Sequence, residues 1–323
     1  MPAGKEQVAP CPQAIACPRP VALLVISFAN DIQNTGVFMP PTALGLLLLA
    51  AILHAGWNLL VKRAREKQVF TWWSLIVGCV CFAPLLLVSR PFPVQIWPYV
   101  VFSAMAEAAY YIILTRAYEH GDFSLVYPMA RGTAPAFLVI WAVIFLGDRP
   151  RPAGFIGLAL LILGLVIVGG KNWWSLRKKT TVSTSGIVLA LSVAFCISIY
   201  SAIDGAAVHI VAALPYTVVI ISLATVFFTP LVLVRYGRQL IVTEWQTNWL
   251  RIIGVGGLML FSYMLVLQSY TIAHVSYAGA IREISVVFAA FMGWRWLGEE
   301  LGLVRMVGAV VIFVGILVIA IAG

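Results

Sequence analysis

Long apolar runs, separated by short polar segments, alternate along most of this chain. From residue 42 onward, each run is long enough, at about 1.5 Å per helical residue, to cross or nearly cross a hydrocarbon layer of about 30 Å. The ten runs cover residues 42–61, 70–89, 98–118, 123–146, 153–170, 186–204, 214–234, 250–271, 276–297 and 302–322. This pattern predicts an all-α integral membrane protein with ten transmembrane helices.

The N-terminal segment, residues 1–41, lacks this pattern. It holds seven of the seventeen prolines, and its apolar run over residues 21–29 is shorter than the about 20 residues that a span requires. The composition predicts a flexible, Pro-rich tail. A signal peptide is the alternative, and Met39, directly before the first span, is an alternative start of the folded protein.

Composition supports the membrane assignment. Hydrophobic residues make up 62% of the 323 residues and charged residues 10%, with a mean hydropathy of +0.99, whereas soluble domains have about 45–50% apolar and about 25% charged residues. The net charge of +9 comes from short Lys and Arg clusters between the apolar runs, which are topology signals rather than a nucleic-acid surface. The five cysteines have no metal-binding or redox spacing. We therefore expect a lipid bilayer partner, and no nucleic acid, metal or cofactor.

The two halves of the chain repeat each other. Residues 42–170 align with residues 186–322 at a nearly constant offset, and residues 171–185 form a basic linker between them. At an offset of 151 the matched pairs are Arg131 and Arg282, Gly147 and Gly298, Asp148 and Glu299, Gly157 and Gly308, and Gly164 and Gly315. Because each half has an odd number of spans, the second half enters the membrane from the opposite side. This predicts two inverted five-helix repeats.

Three stretches resemble the EamA-type transporters of the drug/metabolite transporter superfamily: "HAGWNLLVKR", "GDFSLVYPMARGTAPAF" and "VSYAGAIREISVVFAAFMGWRWLGEE". The resemblance extends over about residues 42–322. It implies a multi-pass protein, expected in the cell (inner) membrane, that exports or exchanges small metabolites such as amino acids. Some relatives resemble lipid-linked sugar translocators or are associated with phosphonate use. A homodimer is left open.

Charged residues inside the spans are the candidates for chemistry. An Arg at the centre of a membrane helix costs about 2.5–3.5 kcal/mol, and so persists mainly where it faces a cavity or a partner. We predict a substrate site built from Arg131, Arg282, Tyr127, Glu107 and Glu283. The alternative is that each Arg is permanently paired with a carboxylate that locks two helices together.

Helical spacing refines this site. Glu283 follows Arg282 directly and lies about 100° around the helix, so the two are not expected to need each other as partners. Pro128 and Pro135 remove backbone donors on either side of Arg131, and are expected to open that helix.

Two titratable residues could couple transport to protons, namely Glu107 in the third span and His54 in the first. The alternatives are a fixed counterion for Arg131 or Arg116 in the case of Glu107, and a helix–helix hydrogen bond in the case of His54. Further residues expected to line the cavity are Asn58, Tyr111 and Tyr263. Asp204 and His209 are expected near the membrane interface, at the end of the sixth span.

Glycines at seven-residue spacing predict close contact between the fifth and tenth spans; they are Gly157, Gly164, Gly308 and Gly315. No phosphate-binding loop, zinc-protease motif or nucleophile elbow occurs, so no enzyme is expected. The sequence favours a secondary active transporter, an exporter or exchanger of a small polar metabolite such as an amino acid or related carboxylate. The alternatives are a non-transporting membrane interaction protein, a lipid-linked sugar translocator and a phosphonate-associated permease.

Orientation is predicted from basic residues. Outside the tail and the pair Arg131 and Arg282, fourteen Lys and Arg lie on the side of the first loop and three on the other side. The positive-inside rule then places both termini outside the cytoplasm. The family resemblance implies the opposite orientation.

Overall fold

The computed structural model describes residues 40–120, 123–141, 152–174, 184–273, 275–297 and 303–322. These residues form helices joined by short turns, and no strand occurs among them. The helices are α1 Pro41–Arg63, α2 Lys67–Phe82, α3 Pro84–Leu87, α4 Trp97–His120, α5 Phe123–Trp141, α6 Pro152–Trp174, α7 Thr184–Ala207, α8 Ala213–Arg235, α9 Arg238–Tyr270, α10 Val275–Arg282, α11 Ser285–Leu297 and α12 Leu303–Ala322. The predicted tail up to residue 39 and linker residues 175–183 lie outside the described residues.

Residue types at the helix ends explain several of these boundaries. Pro41, Pro84 and Pro152 each stand at the first helical position, where the missing N–H of proline costs nothing. Lys62 and Arg63 lie in the last turn of α1, and positive charge at the C-terminal end of a helix interacts favourably with the helix dipole.

Six helical stretches of the described part are long and apolar enough to cross a membrane: Pro41–Arg63, Lys67–Leu87, Val94–His120, Ser185–Ala207, Ala213–Arg235 and Arg238–Tyr270. The all-helical membrane prediction is thereby confirmed.

The helix contacts recur when the two halves are exchanged. Helix α4 packs against α7 as α9 packs against α1, and α9 packs against α2 as α4 packs against α8. Likewise, α5 contacts α7 as α10 and α11 contact α1, while α6 and α12 pack against each other. The duplicated sequence therefore builds a body with pseudo-two-fold internal symmetry.

Glycines bring α6 and α12 together at backbone distance. A Cβ atom on Gly164 would lie 2.7 Å from the backbone nitrogen of Ile312 and 2.8 Å from the carbonyl oxygen of Gly308. A Cβ atom on Gly315 would lie 2.7 Å from the carbonyl oxygen of Gly157. All four predicted packing glycines thus meet at one crossing. A second crossing, between Gly78 of α2 and Gly256 of α9, is equally close and was not predicted.

Helix α5 is continuous from Phe123 to Trp141 and passes through both Pro128 and Pro135. The expectation that these prolines open the helix is therefore wrong. Membrane helices tolerate proline because local adjustments and neighbouring groups satisfy the freed carbonyls. The interruption occurs instead in the other repeat, between α10 and α11 at Glu283 and Ile284, where Ile284 N–H donates to the carbonyl of Ile281 at 3.0 Å.

Candidate functional site

The two repeated arginines share one carboxylate in the interior of the protein. Nε of Arg131 lies 3.2 Å from Oε2 of Glu283, and Nε of Arg282 lies 3.7 Å from Oε1 of the same side chain. Arg131 is 2% exposed, Arg282 is 3% exposed and Glu283 is fully buried. We call these three residues the Arg–Glu–Arg triad. With all three groups ionised, the triad carries one net positive charge.

The helix break explains how Glu283 reaches Arg282. Helical spacing predicts that adjacent residues point about 100° apart, and on that ground Glu283 was not expected to need Arg282 as a partner. Helix α10 ends at Arg282, however, and Glu283 lies in the turn before α11 begins at Ser285. Since Glu283 does not follow the helical course, its carboxylate can lie between both arginines.

The triad leaves guanidinium donors without partners. Within the described part of the chain, Nη1 and Nη2 of Arg131 are buried and make no hydrogen bond. Nη2 of Arg282 donates to Oγ of Ser201 over a long 3.4 Å. A buried donor without an acceptor costs about 1–3 kcal/mol, and more when it is charged. The unpaired donors are the groups that a carboxylate ligand would satisfy.

A small cavity lies directly beside Arg282 and Glu283. The volume open to the centre of a water-sized sphere is ≈ 10 Å³, which is room for about one water molecule. Its wall also includes Ala134, Pro135, Leu138, Ile197, Ser198, Ser201 and Gly279. This cavity is too small for a metabolite. Asn58, Tyr111 and Tyr263, expected to line a cavity, do not border this one.

Asp204, which the sequence places near the membrane interface, is buried among the helices. Its Oδ1 accepts a hydrogen bond from the hydroxyl of Tyr216 at 2.8 Å, and its Oδ2 accepts one from the hydroxyl of Tyr263. The side chain has no exposed surface. Helix α7 continues to Ala207, beyond the predicted end of the span at residue 204, so Asp204 lies within a helix that packs against others. A carboxylate inside a predicted span was the signal that could have found this residue.

Glu107 lies close to Asp204 and is 2% exposed. It also faces Arg282 and the hydroxyls of Tyr111 and Tyr263. None of the described Lys or Arg nitrogens lies within ion-pair distance of it, so it is not a contact counterion of Arg131 or Arg116. Glu107 and Asp204 together form a second charged group, here called the acidic pair.

A row of tyrosine rings in edge-to-face contact lies next to the acidic pair. The rings of Tyr110 and Tyr111 lie 4.9 Å apart, those of Tyr110 and Tyr200 lie 5.7 Å apart, and those of Tyr200 and Tyr263 lie 5.8 Å apart. Edge-to-face contacts of this kind hold the rings in fixed positions. Tyr111 and Tyr263 are equivalent in the two repeats, so both halves contribute to this wall.

The polar face of α1 lies beside the triad. The ring of His54 packs on Trp57, with centroids 4.8 Å apart, and approaches Tyr127 at 6.4 Å. Asn58 donates to the backbone carbonyl of His54 at 2.8 Å and accepts from the hydroxyl of Tyr118 at 2.7 Å. The Asn58 side chain therefore links α1 to α4. His54 takes part in this link through its backbone carbonyl and not through its imidazole ring.

The comparisons with known proteins concern both halves. The sequence profile of a family described as "EamA-like transporter family" matches residues 41–170 and again residues 184–321. A crystal structure described as "Crystal structure of protein" has a TM-score of 0.62 with this chain at 17% identity, covering 85% of this chain and 95% of the other. At that identity the likeness concerns the fold alone. No curated protein gives a significant match.

Proposed function

The chain belongs to the EamA-like transporter family, and from this membership we propose that it is a secondary active transporter for a small polar metabolite bearing a carboxylate, such as an amino acid. Membership identifies a multi-pass membrane transporter of the drug/metabolite transporter superfamily. The proposal adds the substrate class, export or exchange as the mode, and the cell (inner) membrane as the location.

The proposed architecture is ten membrane helices arranged as two inverted five-helix repeats. Helices α2 and α3 would form one span, and α10 and α11 another. The exchange symmetry of the helix contacts supports this arrangement. Inverted repeats place their shared site near the middle of the membrane, where discontinuous helices meet. The Arg–Glu–Arg triad lies at such a discontinuity and takes residues from both halves.

The observation that carries the proposal is the buried triad with its unpaired donors. A guanidinium can bind a carboxylate through two parallel hydrogen bonds, which a Lys ammonium cannot reproduce. Arg131, with Nη1 and Nη2 unpaired, is the proposed contact to the substrate carboxylate, and Tyr127 lies one helical turn before it. The acidic pair, which is also close to Arg282, offers negative charge to a substrate ammonium group. A site with separated charges of both signs suits a zwitterion.

Transport through this site requires the helices to move. The cavity of ≈ 10 Å³ beside Arg282 holds no more than a water, so the present conformation is a closed one. We assign the opening movement to the turn between α10 and α11, because a break in a helix lets its two parts change direction separately. Coupling to protons is assigned to Glu107 or His54. A Glu107→Gln, His54→Gln double variant that still drives transport from a pH gradient would remove both from the mechanism.

The test compares the metabolites of cells with and without this protein, followed by transport of the strongest hit in membrane vesicles. Arg131→Lys should insert and fold but lose most transport, and Arg131→Gln should lose essentially all of it. Arg251→Gln is the matched control, because Arg251 is exposed on α9. Equal transport by Arg131→Gln and Arg251→Gln would show that Arg131 is structural and that the substrate site is wrong.

A further inference from the structure

The buried charges around Arg282 do not balance. In the described part of the chain, the triad and the acidic pair contain two guanidiniums, from Arg131 and Arg282, and three carboxylates, from Glu107, Asp204 and Glu283. With every group ionised, this cluster has one negative charge in excess. An uncompensated charge in a membrane interior is costly, so one further positive charge belongs to this cluster.

His54 is not a suitable place for that charge. Its ring packs on Trp57 and approaches Tyr127. It also lies within the electrostatic influence of Arg131 and Arg282. A proton on this ring would add a third positive charge beside two guanidiniums, whereas the excess negative charge belongs to the acidic pair. The compensating charge must therefore be found at the acidic pair.

The surroundings of the acidic pair provide hydroxyls and little positive charge. The titratable and charged groups that face Glu107 and Asp204 are Tyr110 and Tyr111 on α4, Cys196 and Tyr200 on α7, Tyr216 on α8, Tyr263 on α9 and Arg282 on α10. Arg282 is the one cation in this group, and it also forms an ion pair with Glu283. It cannot neutralise three carboxylates.

The direction of the hydrogen bonds to Asp204 favours a proton, rather than a metal ion, as the positive charge at the acidic pair. Tyr216 and Tyr263 each donate a hydroxyl hydrogen to one oxygen of Asp204, and Ser103 also interacts with this carboxylate. Hydroxyls that donate to a carboxylate present hydrogen, not oxygen lone pairs, toward the shared space. A metal ion needs several oxygen lone pairs, whereas a proton needs one.

We propose that Glu107 and Asp204 are a proton-binding carboxylate pair that holds one proton and serves as the coupling site of the transporter. Tyr263 interacts with both carboxylates and can stabilise the proton on either of them. This assignment rests on the proposed function and adds Asp204 to it. A proton and a substrate ammonium group would compete for the same pair, and this competition is the condition for exchanging one against the other.

The experiment follows the carbonyl-stretch infrared band of a protonated carboxylic acid while the pH of full-length protein in lipid vesicles is varied. In the unchanged protein, we expect one such band near neutral pH that titrates away at alkaline pH. Asp204→Asn and Glu107→Gln should each abolish this band near neutral pH, because either change removes the excess negative charge. Tyr263→Phe, which retains both carboxyl groups, should retain the band and shift its titration.

Glu244→Gln is the matched control. Glu244 is also a buried carboxylate, but it accepts a hydrogen bond from Asn248 and lies nineteen residues before Tyr263 in α9, roughly 29 Å along the helix. The band should be unchanged in this variant. Absence of the band in the unchanged protein, its persistence in both pair variants, or its displacement by sodium at fixed pH would each overturn the proposal.

The titration needs no transported substrate, so the two proposals can fail separately. If the band is absent while Arg131-dependent transport is intact, the proton site is wrong and the transport function stands. If the band behaves as expected and no metabolite is transported, the proton site stands and the function is wrong. Should Asp204→Asn not fold, Glu107→Gln and the titration of the unchanged protein still decide the matter.

Discussion

The contact between α6 and α12 gives a prediction whose size can be worked from the coordinates. Gly164→Ala places one methyl group 2.7 Å from the backbone nitrogen of Ile312 and 2.8 Å from the carbonyl oxygen of Gly308. Ordinary contact for a Cβ atom starts near 3.4 Å, so the two helices must separate by about 0.7 Å. Backbone atoms cannot turn away as the end of a side chain can. The methyl group must therefore disrupt the packing along this crossing.

Two opposing effects set the change in the free energy of unfolding. Replacing Gly by Ala in a helix stabilises it by about 0.8–1.0 kcal/mol, whereas overpacking a close contact costs about 1–3 kcal/mol. Gly257→Ala isolates the propensity effect, because Gly257 lies within α9 and a Cβ atom there meets nothing within 4 Å. Both variants share the propensity gain. The difference between them should therefore equal the packing cost alone, about 1–3 kcal/mol.

The assay is reversible unfolding by SDS in one mixed-micelle system, with the free energy obtained for each variant. We expect Gly257→Ala to be at least as stable as the unchanged protein and Gly164→Ala to be less stable than Gly257→Ala. Gly164→Leu should reduce the yield of folded protein without changing which substrates are transported. Equal stability of the two alanine variants would refute the steric reasoning, and a Gly164→Leu protein of normal yield with a changed substrate profile would move this glycine into the substrate site.

Three further predictions follow from the contacts. Tyr118→Phe removes the 2.7 Å hydrogen bond to Asn58 and leaves a buried amide oxygen unpaired, so unfolding in SDS should become easier by about 1–3 kcal/mol; an unchanged transition would mean that Asn58 finds another donor. Glu283→Gln removes the carboxylate between two buried guanidiniums and should destabilise by about 3–5 kcal/mol, whereas Glu244→Gln should be much milder, and equal effects would contradict the triad. A C-terminal reporter that is active only outside the cytoplasm should be active, as the positive-inside rule requires; silence there would reverse the orientation.

Duplication made part of the site predictable. Arg131 and Arg282 are buried charges at equivalent positions, and an inverted repeat brings equivalent positions toward a common axis. The same reasoning applies to Gly164 and Gly315, because small residues at regular spacing mark close helix contacts. Both inferences depend on the spacing of residues along the chain, which can be read directly from the sequence.

Other features depend on contacts between distant segments. Hydropathy locates the end of a span, but it does not show whether a carboxylate there, such as Asp204, is buried against other helices. Its partners Tyr216 and Tyr263 come from two other helices. The contact between Glu283 and Arg282 was not predicted, because the helix break after Arg282 contains no proline, whereas the prolines of α5 cause no break. Tertiary packing decided these cases.

The two repeats differ in where they carry buried acidic residues. The positive charges are equivalent, but Glu283 corresponds to Gly132 at the offset of 151, and Glu107 corresponds to Met259 at the offset of 152 that aligns Tyr111 with Tyr263. Two copies of the first half, assembled as a dimer, would therefore bring two arginines together without the carboxylate that separates them here. Arg131 of the first half therefore takes its ion-pair partner, Glu283, from the second half, and a second copy of the first half could not replace that partner.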